Sequence, residues 1–173
     1  GNARAIGESI DRSAVIVSAS KGLELDSAKR MSEVLAEELP SYLHPSICAL
    51  SGPNLATEII SGKPSSTVVA SASGVAAARA QSLLTSSRFR VYTNADIIGV
   101  ELGGALKNII ALGAGVCDGL AYGDNAKAAF MTRGLAEIAR LGVAAGAELM
   151  TFAGLAGVGD LVATCSSPLS RNY

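Results

Sequence analysis

The sequence predicts an α/β unit with a doubly wound, largely parallel sheet over residues 1–94, followed by an all-α region over residues 95–173. Three observations carry this prediction. Short β-rich runs alternate with amphipathic helical runs as far as Thr93, the pattern that crossover helices between neighbouring strands produce. Beyond residue 95 the apolar spacing is helical throughout. The longest apolar run, Gly99 to Leu120, is studded with glycine and holds one lysine, Lys107, with Asn108 beside it.

Taken in order, Asn2–Ser9 reads as the tail of a helix and Ala14–Ala19 as a strand. Ser27–Leu39 reads as a helix, because Ala28, Met31, Leu35 and Leu39 recur at helical spacing. Ser46–Leu50 is a predicted strand, Leu55–Ser61 a short helix, Thr67–Ser71 a strand, Val75–Thr85 a helix and Phe89–Thr93 a strand. Two long helices, Ile97–Val116 and Ala126–Gly146, and a short turn-rich segment complete the chain.

Composition narrows the function. With 173 residues, 49% apolar, 17% charged and a net charge of −1, the chain can build a real core and suits a soluble globular protein. Scattered charge gives neither a basic stripe for nucleic acid nor a polybasic anchor for lipid, so small-molecule work is the default. Cys48, Cys117 and Cys165 are odd in number, widely spaced and set among apolar residues, which suits reduced core thiols better than disulfides or a zinc site. His44 is the single histidine, and nothing in the sequence brings it to a cysteine. No charged-then-apolar leader opens the sequence, so a cytoplasmic protein is expected.

Ile97–Val116 is long enough to cross a bilayer. Glu101 and Lys107 would each cost about 2.5–3.5 kcal/mol at its centre, so a buried helix without membrane insertion is the better reading. Five glycines in that run each cost about 1 kcal/mol relative to alanine, and close packing at a site would offset them. An ammonium in such surroundings must be paired or used in chemistry. A lysine that snorkels to the surface is the competing reading.

A doubly wound nucleotide domain begins with a strand and a G-x-G-x-x-G turn, and none stands near the start of these residues. The GAGVCDG run at 113–119 follows a helix, so the chain reads as a fragment. Four patterns converge: Ser20-Lys21-Gly22-Leu23-Glu24 after one strand, Ser51-Gly52-Pro53-Asn54-Leu55-Ala56 after the next, Leu106-Lys107-Asn108 in the apolar helix, and Gly154-Leu155-Ala156-Gly157-Val158-Gly159-Asp160-Leu161 running on to Ser170-Arg171-Asn172. In this order and spacing they resemble the bacterial NAD(P)-dependent glycerol-3-phosphate dehydrogenases, across essentially the whole chain.

The resemblance implies the carboxy-terminal part of a Rossmann-like dinucleotide-binding domain over 1–94, its glycine turn missing, and an incomplete helical substrate domain over 95–173. It implies hydride exchange between NAD or NADP and the carbon that is the ketone in dihydroxyacetone phosphate and the alcohol in sn-glycerol 3-phosphate, feeding glycerophospholipid synthesis. Lys107 takes the proton donor's role, and burial lowers a lysine's pKa, which suits that role. Asp160, Asn108 and Thr164 join it as catalytic residues, although a plain helix N-cap competes for Asp160. Lys21, Gly52, Asn54, Ser170, Arg171 and Asn172 are implied to bind substrate together with Lys107 and Asp160, and Lys21, Ala56 and Arg171 to bind cofactor. Arg171 is the phosphate candidate, its planar fork matching an oxyanion. Asn54 departs from the serine or threonine usual at its position.

Without the pyrophosphate turn, the 173 residues alone are expected to be inactive. Exposed sheet edges favour association, and a homo-oligomer, a homodimer, is expected. Two alternatives stand. A related β-hydroxyacid-type dehydrogenase would place its asparagine four residues after the lysine, where this chain has Ala111. A non-catalytic helical assembly module would use Gly99, Gly103 and Gly104 only to pack helices.

Overall fold

The computed structural model describes residues 2–7 and 9–170. Its centre is one four-stranded sheet in the order β1 (Ile16–Ser18), β2 (Ile47–Ser51), β3 (Ser65–Ala70), β4 (Phe89–Asn94). Side chains alternate across it, and both faces are covered. Cys48, Val69 and Val91 pack on Ala76 and Ala80 of one helix, α4 (Gly74–Leu84). Ala49, Val68 and Ala70 pack on Val100 of the long helix α5 (Ile97–Gly119) and on Ala156. This is the layering of a doubly wound unit.

The sheet is largely parallel, as expected, with one exception. β1 pairs with β2 and β3 with β4 in parallel, but β2 and β3 are antiparallel. Connection length explains the difference. The β3 to β4 link contains the 11 residues of α4, about 16 Å of helix at 1.5 Å per residue, enough to return along a strand. Between β2 and β3 the only helix is α3 (Ala56–Ile60), about 7 Å long, so the chain turns back beside the strand it has just left.

Helix α1 (Asn2–Gly7) precedes the sheet, and a 3₁₀ turn (Ser41–Ser46) leads into β2. The helix expected over Ser27–Leu39 is shorter, α2 (Met31–Glu38). Glu24 accepts hydrogen bonds from the backbone N–H and hydroxyl of Ser27, and Ala28 stands at φ +56°, so this stretch is a turn. The buried Glu101 carboxylate of α5 accepts from Ser32 N at 2.8 Å, Ser32 Oγ at 2.6 Å and Arg30 Nη1 at 2.9 Å, pinning the start of α2 to α5. Asp96 caps α5 through Gly99 N and also accepts from Glu148 N, at the start of helix α7 (Leu149–Phe152).

From residue 97 on, the described chain is helical: α5, α6 (Asp124–Ala144), α7, a π-helical turn (Leu155–Gly159) and α8 (Asp160–Ser166). The last three replace the expected turn-rich segment. Gly154, Gly157 and Gly159 signal turns, yet here small residues let the segment press on α5. A Cβ on Gly103 would lie 2.7 Å from the Ala156 carbonyl oxygen, so only glycine permits this approach. Ala111 and Ala114 of α5 then meet Leu161 and Cys165 of α8, and Phe152 closes a further cluster with Ile138, Ala139 and Ala147. Ile97–Gly119 and Leu149–Ser166 are long and apolar enough to cross a bilayer by length and composition. In the fold they pack on each other, and the charges of α5 are paired across the chain.

Candidate active site

Strand direction places the site. β1 and β2 run parallel, so Lys21, three residues past β1, and Gly52, directly after β2, stand at the same sheet edge. β4 runs the other way, so α5 starts at the opposite edge and returns across the sheet, packing on β2. Ten residues of helix cover about 15 Å, close to the length of a strand, and deliver Lys107 to the edge where Lys21 stands. Gly104, one turn earlier, faces Ser51: a Cβ there would lie 2.6 Å from Ser51 Oγ.

Asp160 joins the two lysines. Its Oδ1 accepts from Lys107 Nζ at 2.5 Å and its Oδ2 from Lys21 Nζ at 2.6 Å. Lys107 also donates to Thr164 Oγ1, one turn along α8, and Lys21 to the Gly52 carbonyl at 3.0 Å. Asp160 is 2% exposed and Lys107 7%, so Lys107 does not snorkel to solvent. Nor is the Asp160 carboxylate a helix cap, since Gly159 takes the N-cap position and no side chain caps it. Burial pushes the Lys21 ammonium below the usual lysine pKa, Asp160 opposes that shift, and the Lys107 charge reinforces it. Two ammoniums share one carboxylate, leaving one surplus positive charge in a partly dry site. Such a site suits an anionic ligand or an oxyanion that forms during reaction.

The other residues singled out in the sequence fall around this centre. Gly52 is buried with φ +146°, a backbone that favours glycine. Asn54 donates through Nδ2 to Thr67 Oγ1, and Ala56 is exposed at the start of α3. Asn108 is half-buried beside Lys107, and Ser170 lies past the end of α8. Arg171 and Asn172 lie outside the described residues. Ala111 is buried against Leu161 and Cys165, so one turn beyond Lys107 the helix presents no amide. Cys48 and Cys165 are buried core thiols whose pKa burial raises, while His44 bonds the Leu39 carbonyl.

Two residues of this edge were not selected from the sequence. Thr67, fully buried in β3, bonds Asn54 and the Ser51 carbonyl. Ser51 lies within a quoted motif, and its hydroxyl is buried with no partner. Only the antiparallel pairing of β2 with β3 brings Thr67 here, which no local pattern announces. Asn54 Oδ1 is the second buried side-chain polar atom without a partner among the described residues. The orphaned Ser51 hydroxyl, which faces Gly104 where that helix meets Lys21, fits the polar nicotinamide end of a dinucleotide. The pyrophosphate end has no match, since the 173 residues hold no strand followed by G-x-G-x-x-G.

Residues 2–77 match the model described as NAD-dependent glycerol-3-phosphate dehydrogenase N-terminus, and residues 96–173 match the corresponding C-terminus model. Proteins named glycerol-3-phosphate dehydrogenase [NAD(P)+] are 57% identical over 172 residues in Dehalococcoides mccartyi, covering 99% of this chain and 48% of that protein. The Thermobifida fusca protein is 58% identical over 173 residues, covering 99% and 51%. A crystal structure of glycerol-3-phosphate dehydrogenase from Coxiella burnetii superposes with a TM-score of 0.90 at 41% identity, covering 99% of this chain and 51% of that one. The yeast Saccharomyces cerevisiae enzyme superposes at 0.84 with 32% identity, covering 98% and 50%. The chain thus spans about half the length of the curated relatives it matches. With both halves of the family's signature present in order, this chain belongs to the NAD-dependent glycerol-3-phosphate dehydrogenase family.

Proposed function

We propose that these residues form the substrate side of an active site that interconverts dihydroxyacetone phosphate and sn-glycerol 3-phosphate with NAD or NADP, supplying glycerophospholipid synthesis. The observation that supports it best is the Lys107–Asp160–Lys21 arrangement, a buried carboxylate holding two ammoniums at one sheet edge. When bound, the nicotinamide cofactor supplies or accepts the hydride at the central carbon of the substrate. Lys21, Ala56 and Arg171 would hold it.

The protein's own part is proton transfer and charge. Lys107, oriented by Asp160 and Thr164, donates its proton to the ketone oxygen as negative charge gathers there. The site's surplus charge then falls from one to zero, and in the reverse direction Lys107 takes the proton back from the alcohol. Lys21 keeps Asp160 paired throughout and, anchored on the Gly52 carbonyl, presents a fixed cation to the substrate. Gly52, Asn54, Asn108, Ser170 and Asn172 supply further polar contacts, and Arg171 is assigned the phosphate. We place the boundary between the nucleotide-binding and substrate units at 94/95, and the protein in the cytoplasm as a homo-oligomer that does not insert in membranes.

The test is Lys107→Ala in a chain carried at the full length of its relatives, assayed with dihydroxyacetone phosphate and with 3-hydroxy acids. Loss of at least a hundredfold in kcat with an intact fold is the expected result. Retained turnover, or a preference for 3-hydroxy acids in the unsubstituted protein, would refute the proposal.

A further inference from the structure

The orphaned oxygen of Asn54 has a direction that the structure itself dictates. Thr67 Oγ1 donates its one proton to the Ser51 carbonyl at 2.9 Å, so toward Asn54 it can only accept. The group of Asn54 that meets it at 2.9 Å must therefore be the amide nitrogen. A flipped amide would set two acceptors against each other in a fully buried place, which is costly. Oδ1 is left as the free end, buried and unpartnered, two residues from the carbonyl that anchors Lys21.

We propose that Thr67 is a positioning residue that fixes Asn54 as a hydrogen-bond acceptor, and that the substrate group read by it is the primary hydroxyl of the three-carbon phosphate. This rests on the reaction proposed above. The central oxygen of the substrate alternates between ketone and alcohol, so a fixed acceptor cannot serve it in both directions. The primary hydroxyl donates in both. A serine or threonine hydroxyl at position 54 could rotate to donate or accept, whereas this amide is held by Thr67 with its carbonyl oxygen, an acceptor, as the unpartnered end.

The test uses the chain at the full length of its relatives, with dihydroxyacetone phosphate and hydroxyacetone phosphate, which carries a methyl group in place of the hydroxymethyl. A site built around a substrate hydroxyl rejects the analogue that lacks it. Thr67→Val should raise KM for dihydroxyacetone phosphate about tenfold with kcat within about twofold, and cut the preference over the analogue by a similar factor. Thr67→Ser should restore both. In an Asn54→Ser background, Thr67→Val should change the preference by less than about twofold, since the locked amide is gone.

An unchanged preference in Thr67→Val would overturn the inference. So would an equal loss in the Asn54→Ser background, or an effect confined to KM for the reduced cofactor, which would assign Asn54 to the carboxamide instead. If Thr67→Val does not fold, Asn54→Leu must itself abolish the preference, and its persistence overturns the inference. Absence of turnover with dihydroxyacetone phosphate in the unsubstituted protein would defeat the proposed reaction as well, whereas turnover with unaltered preference defeats only the role of Thr67.

Discussion

Replacing Asp160 by asparagine keeps the shape of the side chain and removes the one anion between Lys107 and Lys21. Each ion pair, at 2.5 and 2.6 Å, is worth about 6.5 kcal/mol at an effective dielectric constant of about 20, largely offset by the cost of drying the charges. Removing one partner of a buried pair leaves that cost uncompensated and typically destabilises by about 3–5 kcal/mol. Here two ammoniums lose their counter-charge at once, with side chains 9% and 22% exposed, so the upper half of that range applies. For a chain of this size 1 kcal/mol moves the midpoint by about 2–4 °C, which puts the drop in Tm at roughly 8–20 °C. Thermal unfolding followed by circular dichroism at pH 7 measures it. Adding Lys107→Met to Asp160→Asn removes one of the unpaired charges and should recover part of the loss. A drop below about 2 °C, or strict additivity of the two substitutions, would refute the claim that this triad is electrostatically coupled.

Gly103→Ala puts a methyl 2.7 Å from the Ala156 carbonyl oxygen, so despite about 1 kcal/mol of improved helix propensity it should destabilise by about 1–3 kcal/mol, read by urea unfolding. Because burial depresses the pKa of Lys21 in the fold, protonating it there costs stability at neutral pH, and that cost disappears as pH rises through the window from its lowered value up to 10.5. The stability of the chain relative to its Lys21→Met variant should therefore climb between neutral pH and 10.5, and a flat difference would contradict the assignment. With no glycine turn for the pyrophosphate, the 173 residues alone should show no steady-state oxidation of NADH or NADPH with dihydroxyacetone phosphate, whereas turnover near that of a full-length relative would disprove this.

Much of the fold was legible because it rests on local periodicity. The runs now seen as β2, β4, α4 and α5 announce themselves by alternation or by helical spacing, and the glycines of α5 announce close approach. The segment 149–166 was misread, because glycine marks turns and tight helix packing alike, and only Gly103 opposite Ala156 decides between them. Strand direction was also out of reach of pattern. It turned on whether 5 or 11 residues of helix could return the chain along a strand.

The site divides the same way. By itself the sequence determined that Lys107 sits in an apolar helix where an ammonium must be paired, and that four ordered motifs match one family. The tertiary structure decided the partner. Asp160 lies 53 residues from Lys107 and 139 from Lys21, and it reaches both because β1 and β2 end at the edge to which α5 returns. Thr67 became a neighbour of Asn54 only through the antiparallel pairing of β2 and β3. Periodicity is a property of adjacent residues and can be read along the chain. Charge pairing and hydrogen-bond polarity depend on which elements meet, and that is settled only when the chain closes on itself.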